Sequence, residues 1–334
     1  MIRVVLTCVF GFMAVVTSSI VSFADEVITA DRAGRETMRK GTITDLKGTQ
    51  LTLTTSSGRE TKIPLERVQS YEADRSAVHQ QADQQYAQRN FAAALPLYRD
   101  ALRDEPRRWV KRKLLAQLIW CQRNMDMWGA ACKNFERLIA EDPETPYFAT
   151  IPLQWQMQPC PRDVAEVIRR WSGTRNDDAL RLIAASWLLT SDRSTYATQL
   201  RDLARTSSTR VKPLAITQLQ REKMLTLREA EISLIMQAVE STPRELRAGG
   251  YYLLGEAFAR FDRADESALA YLRVPSEYDD DLLLSQKALI GSASQLAGAG
   301  HAQEAIKLYR QTIELSAKTE SGQRAMANLN ELTK

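Results

Sequence analysis

Residues 91–106 read FAAALPLYRDALRDEP, and residues 128–143 read WGAACKNFERLIAEDP. Laid on each other at an offset of 37 residues, Phe91 meets Trp128, Ala94 meets Ala131, Tyr98 meets Phe135, Ala101 meets Leu138 and Pro106 meets Pro143. The matched positions fall three and four apart, the spacing of one helical face. A small residue at 94 or 131 lets a neighbouring helix approach closely, and the aromatic four residues on fills the space beside it. Proline then stops the helix. Upstream, Ala82 falls in the slot of Ile119, so each unit also carries an earlier helix. Single helices of about 14 residues are marginal alone. Helical hairpins stacked in an array share one continuous core, and this reading decides the fold.

The same text recurs near the C-terminus. Tyr251-x-x-Leu254-Gly255-x-x-Phe258 is a first helix, and Tyr271 and Val274 fill second-helix slots, with Ser267 where a small alanine is usual. Pro275 precedes the expected stop and predicts an early end to that helix. A last unit has Leu289, Ala293, Leu296, Gly300, Ala305, Tyr309 and Ile313, and a final helix follows around residues 325–332. This pattern of a bulky residue, Leu-Gly, an aromatic, then Ala, an aromatic and Pro resembles the tetratricopeptide repeat. The resemblance implies a mainly α fold, an α-solenoid whose concave face takes a protein segment. Some members clamp a peptide's carboxylates with Lys and Asn on first-helix faces. The corresponding slots hold His79 and Asp83 in one unit and Ala116 and Trp120 in the next, so that clamp is not expected. Trp120, Arg123, Tyr252 and Arg260 are the candidate groove contacts.

Between the two repeat blocks, residues 147–247 lack the signature. Helices are expected over 178–189, 194–204, 212–224 and 227–239, as degenerate or HEAT-like pairs. Residues 147–161 carry Pro152, Pro159 and Pro161 and read as an irregular connection. Upstream, residues 25–74 read as strands: Val27–Ala30, Thr42–Thr44, the alternating Leu51–Thr55, Glu60–Ile63 and Val68–Tyr71, with turns at Lys47-Gly48 and Ser56-Ser57-Gly58. Five short strands suggest a small barrel, and the spacing resembles the SH3-like or Sm-like group. The division is therefore a leader at 1–24, a β-domain at 25–74, repeats at 75–146, a degenerate helical region at 147–247 and repeats at 248–334.

The leader has Arg3, an apolar run from Val4 to Val16, and Ser22-Phe23-Ala24 before Asp25. This is the layout of a secretory signal, with cleavage expected after Ala24 and the mature chain in the periplasm or outside the cell. Cys8 lies inside the apolar run. No later stretch has 18 unbroken apolar residues, so no integral span is expected after cleavage. Cys121, Cys132 and Cys160 remain, and their pairing is open.

A net charge of +4 over 334 residues is too mild to argue for nucleic acid. His79 and His301 stand far apart, without metal-ligand spacing around either. No phosphate loop, zinc-protease helix or nucleophile elbow is present. No catalytic residue, metal or cofactor is therefore expected. Asp279-Asp280-Asp281 suits a helix N-terminus. Arg108, Lys111 and Arg112 share one helical face with which an acidic partner or anionic wall polymer could engage. The favoured reading is an extracytoplasmic scaffold of the cell envelope that binds an unidentified protein. The rivals are a polysaccharide-binding wall protein and an enzyme whose site lies in the middle helices.

Overall fold

The computed structural model describes residues 25–334 apart from 32, 172, 174–176 and 318; the expected leader, its cut after Ala24 and Cys8 lie outside the described residues. Five strands come first: β1 Asp25–Ala30, β2 Glu36–Lys47, β3 Gln50–Thr54, β4 Glu60–Pro64 and β5 Val68–Glu72. They form one antiparallel sheet in the order β4-β3-β2-β1-β5. Strand β2 is much longer than the expected Thr42–Thr44. Its first half pairs with β1 and its second half with β3, and the register slips between Ile43 and Asp45. Gly41 sits at that changeover, where a Cβ would stand 2.5 Å from the Thr54 carbonyl oxygen. A side chain there would drive β2 away from β3.

One face of the sheet buries Val27, Ile43, Leu46, Leu51, Leu53 and Ile63 in a core shared with the first helices. The helices are α1 Ala77–Ala87, α2 Phe91–Asp104, α3 Arg108–Asn124 and α4 Trp128–Glu141. Trp109 of α3 donates from Nε1 to the Ile43 carbonyl at 3.0 Å. Arg112, expected on an exposed basic face, is instead buried against β2. Its Nη2 reaches Asp45 Oδ1 at 2.5 Å and the Leu46 carbonyl at 2.8 Å. A guanidinium with two oxygen acceptors from one strand is held more firmly there than in water. The Gly48 N–H donates to Asp142 at 2.9 Å, which ties the β2–β3 turn to the end of α4.

The helical hairpins have the packing that their residue types require. Ala82, Ala94, Tyr98, Ala131, Phe135 and Ala305 are essentially inaccessible. Four turns between first and second helices each place one residue at positive φ: Arg89, Asp126, Asp262 and Gly300. They mark α1–α2, α3–α4, then α10 Ala248–Arg260 with α11 Ala264–Glu277, and α12 Leu282–Gly298 with α13 Ala302–Ser316. Tyr271 of α11 is wedged between two glycines. A Cβ at Gly255 or at Gly291 would come within 2.7 Å of its ring. Ser267 Oγ donates to the Gly255 carbonyl at 2.8 Å. Pro275 does not end α11 early. It lies in the last turn, where it withholds the helical N–H from the Tyr271 carbonyl but leaves little helix to disrupt, and Tyr278 N closes the helix on the Val274 carbonyl at 3.0 Å. Helix α14, Glu320–Leu332, caps the array.

The middle helices are α5 Arg162–Ile168, α6 Asp178–Leu188, α7 Arg193–Leu203, α8 Val211–Lys223 and α9 Ile232–Ser241. The last starts five residues later than its apolar pattern implies, after a 3₁₀ turn at Glu229–Glu231. Consecutive helices pack on one another from α1 to α14, and the array also curls back so that α12 meets α3. Asn124 Nδ2 donates to the Asp280 carbonyl and its Oδ1 accepts from Leu282 N, both at 2.8 Å. Arg123 pairs with Asp281, and Tyr86 donates to Asp280 at 3.0 Å.

His79 of α1 is 1% exposed, and burial holds its imidazole below the ordinary 6.5 against the opposing pull of Asp83. Asp83 lies 3.6 Å away but already accepts from Arg75, Tyr98 and Gln117. A depressed histidine gives stability that is complete above the unfolded value and is lost as pH falls through the folded one, because the unfolded chain takes the proton first. Urea midpoints should therefore fall as pH is lowered below about 6.5, and His79→Leu should flatten that part of the profile.

Candidate functional site: the inner channel

Helices α3, α6, α8, α10 and α12 are the first helices of their hairpins, and all five reach the same interior segment. Gly129 N–H meets Asp163 at 3.3 Å, while Arg170 and Trp171 meet Glu136 at 2.5 and 3.0 Å. These contacts advance together along both chains, so α5 runs parallel to α4. Residues 147–161 carry the chain back between them. The segment contains one 3₁₀ turn, Phe148–Thr150, and is otherwise without regular structure. Pro152, Pro159 and Pro161 exclude a helix.

Such a stretch has backbone groups that need partners when buried, and the channel supplies them. Arg123 Nη1 donates to the Ala149 and Ile151 carbonyls at 3.2 and 3.1 Å. Trp187 Nε1 donates to Pro152 O at 2.8 Å, and Gln154 N donates to Ser186 Oγ at 3.3 Å. The Gln154 carbonyl accepts from Gln218 Nε2 at 3.0 Å and from Arg221. Lys287 Nζ and Tyr252 OH bond the Gln156 side chain at 2.6 and 3.0 Å. Ile151, Leu153 and Trp155 are buried in the largest core cluster. The Trp155 indole lies flush against α10 at Gly249, where a Cβ would stand about 1.9 Å from the ring. Most of the concave face is thus filled by the chain itself.

Open space remains beside it, one part of which is lined by Gln156, Tyr252, Glu256 and Lys287. A cavity of about 420 Å³ lies where α3, α8, the start of α10 and the α11–α12 turn meet. Its apolar wall is Trp120, Ile151, Leu153, Trp155, Leu214 and Leu246, and its polar rim is Arg244, Glu245, Glu277 and Tyr278–Asp281. Arg123 lies at the edge, its guanidinium stacked 4.2 Å from the Trp120 ring centre. The volume is that of a pocket for a few side chains or a small ligand.

Of the sequence candidates, the structure brings Trp120 and Arg123 together at this cavity. Tyr252 lies inside the channel but is consumed, bonded to Gln156 and packed edge-on against Tyr271 at 5.6 Å. Arg260 is elsewhere, at the outer end of α10, donating to the Leu225 carbonyl at 2.9 Å. Arg108 is exposed at the start of α3. Lys111 lines a separate open groove with Arg99, Arg103 and Arg137. Sequence reasoning missed Ser186, Gln218, Arg221 and Lys287, which hold the interior segment. Burial pushes the Arg221 guanidinium down, and both of its bonded oxygens, on Gln154 and Ser186, are neutral carbonyls. The buried polar groups of the middle helices therefore converge on the backbone rather than on one another. Among the described residues no cluster of His, Cys, Asp and Glu could hold a metal, and no helix is long and apolar enough to cross a membrane.

Residues 117–145, which span the C-terminal part of α3 and all of α4, match the family described as the tetratricopeptide repeat. No curated protein matches the chain. Among solved structures, the TPR2AB-domain:pHSP90 complex of yeast Sti1 is similar at 11% identity. The match covers 77% of this chain and 97% of that one, with a TM-score of 0.24.

Proposed function

We propose that this tetratricopeptide-repeat protein is an extracytoplasmic, non-catalytic scaffold that holds a segment of a partner protein at the mouth of its inner channel. The observation that carries this reading is the open, largely apolar-walled cavity beside Trp120, on a concave face that residues 147–161 largely fill. Half-buried Trp120 is the type of side chain that anchors a contact, having large apolar area and little rotamer freedom to lose. Export rests on the leader pattern of residues 1–24, which lies outside the described residues. The polyanion-binding rival loses support, because Arg112 is turned into the core and the basic face it would have shared is smaller.

Site-specific photocrosslinking tests the scaffold reading. A photoreactive amino acid placed at position 120 in the full chain should give a discrete adduct with one partner in intact cells. The same group at Leu269, which is 66% exposed on the outer surface, should not. Equal labelling at both positions would sink the proposal. Fractionation and N-terminal sequencing test export, with Asp25 expected as the first residue.

A further inference from the structure

The cavity rim carries five carboxylates, Glu245, Glu277, Asp279, Asp280 and Asp281, against two guanidinium groups, Arg123 and Arg244. Two of the acids are paired inside the rim. Asp281 takes Arg123, and Glu277 lies 3.7 Å from Arg244. Glu245, Asp279 and Asp280 are left without a cation among the lining residues. Asp280 accepts a neutral Tyr86 hydroxyl, and Arg89, outside the rim, stands 4.0 Å from Asp279. Aromatic surface adjoins these acids at Trp120, Trp155 and Tyr278.

These features call for two properties in one occupant. The carboxylates and ring faces suit a cation, which gains both ion pairing and attraction to the aromatic quadrupole. The apolar wall of Ile151, Leu153 and Leu246 suits an aliphatic stem and apolar neighbours beside that cation. A lysine or arginine within an apolar peptide supplies both. We infer that the partner segment is a basic peptide, its Lys or Arg seated between Trp120 and Asp279–Asp280. The inference rests on the scaffold reading and specifies its ligand. An acidic peptide is disfavoured by the same rim, which sets this cavity apart from carboxylate-clamping relatives.

The experiment is a fluorescence-anisotropy titration of the full chain from Asp25 with three labelled nonapeptides, alike in apolar residues but carrying two lysines, two serines or two glutamates. Free spermidine serves as a non-peptide cation. The lysine peptide should bind at least tenfold tighter than the serine peptide, and the glutamate peptide weakest. Asp279→Asn with Glu245→Gln, both at exposed positions, should erase that preference and the salt dependence. Trp120→Ala should weaken the lysine peptide about thirtyfold. Thermal unfolding of each variant would confirm that it is folded. Equal or tighter binding of the glutamate peptide, still dependent on Trp120, would overturn the basic-peptide inference and leave the scaffold reading standing. Spermidine competing as well as the peptide would overturn the inference in favour of a small-amine site. Absence of peptide binding together with absence of a crosslink at position 120 would overturn both readings.

Discussion

Arg123→Met is expected to lower the unfolding free energy by about 3–5 kcal/mol, the cost of breaking a buried ion pair from one side. Both partners are at most 5% exposed as side chains, so Asp281 would be stranded in the interior with no cation. The Ala149 and Ile151 carbonyls would also lose their donor, and Trp120 its stacked guanidinium. Arg123→Met combined with Asp281→Leu should recover much of the loss, because removing both charges also removes their desolvation cost. Urea titration followed by far-ultraviolet circular dichroism reads the difference. A cost below about 1 kcal/mol would mean that this pair does not close α12 onto α3. Since Arg123 holds both the array's closure and its interior segment, the variant should lose cooperativity as well as midpoint.

Trp155→Ala is expected to cost about 3–5 kcal/mol, as for a buried aromatic removed from a packed site. The indole is the piece of the interior segment that α10 is shaped to accept. Gly249 has no side chain there, and a Cβ would overlap the ring. Gly249→Ala alone should therefore destabilise by more than about 1 kcal/mol, even though alanine is the better helix former. In the Trp155→Ala background the same substitution should become neutral or stabilising. That sign change is a coupling energy between contacting residues, and additivity would show that Trp155 does not dock on α10. Limited proteolysis should cut Trp155→Ala within residues 150–160, where the parent chain resists.

The repeats were legible because packing a hairpin restricts residue type at fixed spacing. Ala94 and Tyr98, Ala131 and Phe135, and Ala305 and Tyr309 are small-then-aromatic pairs one turn apart, and all are buried. The strands were legible for the same reason: Leu51 and Leu53 alternate inward, with Thr52 and Thr54 half-exposed. The positive-φ turns went unread, since Arg89 and Asp126 fill the position as well as Gly300 does. The interior segment was the main loss. Its partners lie 26 to 131 residues away, and many contact backbone carbonyls, which have no side-chain signature. A trace was present in Ile151, Leu153 and Trp155, which alternate across a stretch whose prolines forbid a helix. That pattern describes an extended chain with a buried face, not a surface connection, and Pro152 and Gln154 between them are buried as well. Arg112 was misplaced because its charge suggested solvent, whereas its partner Asp45 belongs to a strand 67 residues earlier.

The clasp between α3 and the α11–α12 turn joins residues 158 apart in sequence. Open solenoids can gain or lose a hairpin at little cost, because each unit answers only to its neighbours. Here a unit inserted or deleted between α4 and α11 would carry Asp281 out of reach of Arg123 and leave the interior segment too short or too long for its berth. The number of hairpins is thus set by a closure condition, as the number of staves is in a cask, and a closed array of different length would need a different seal.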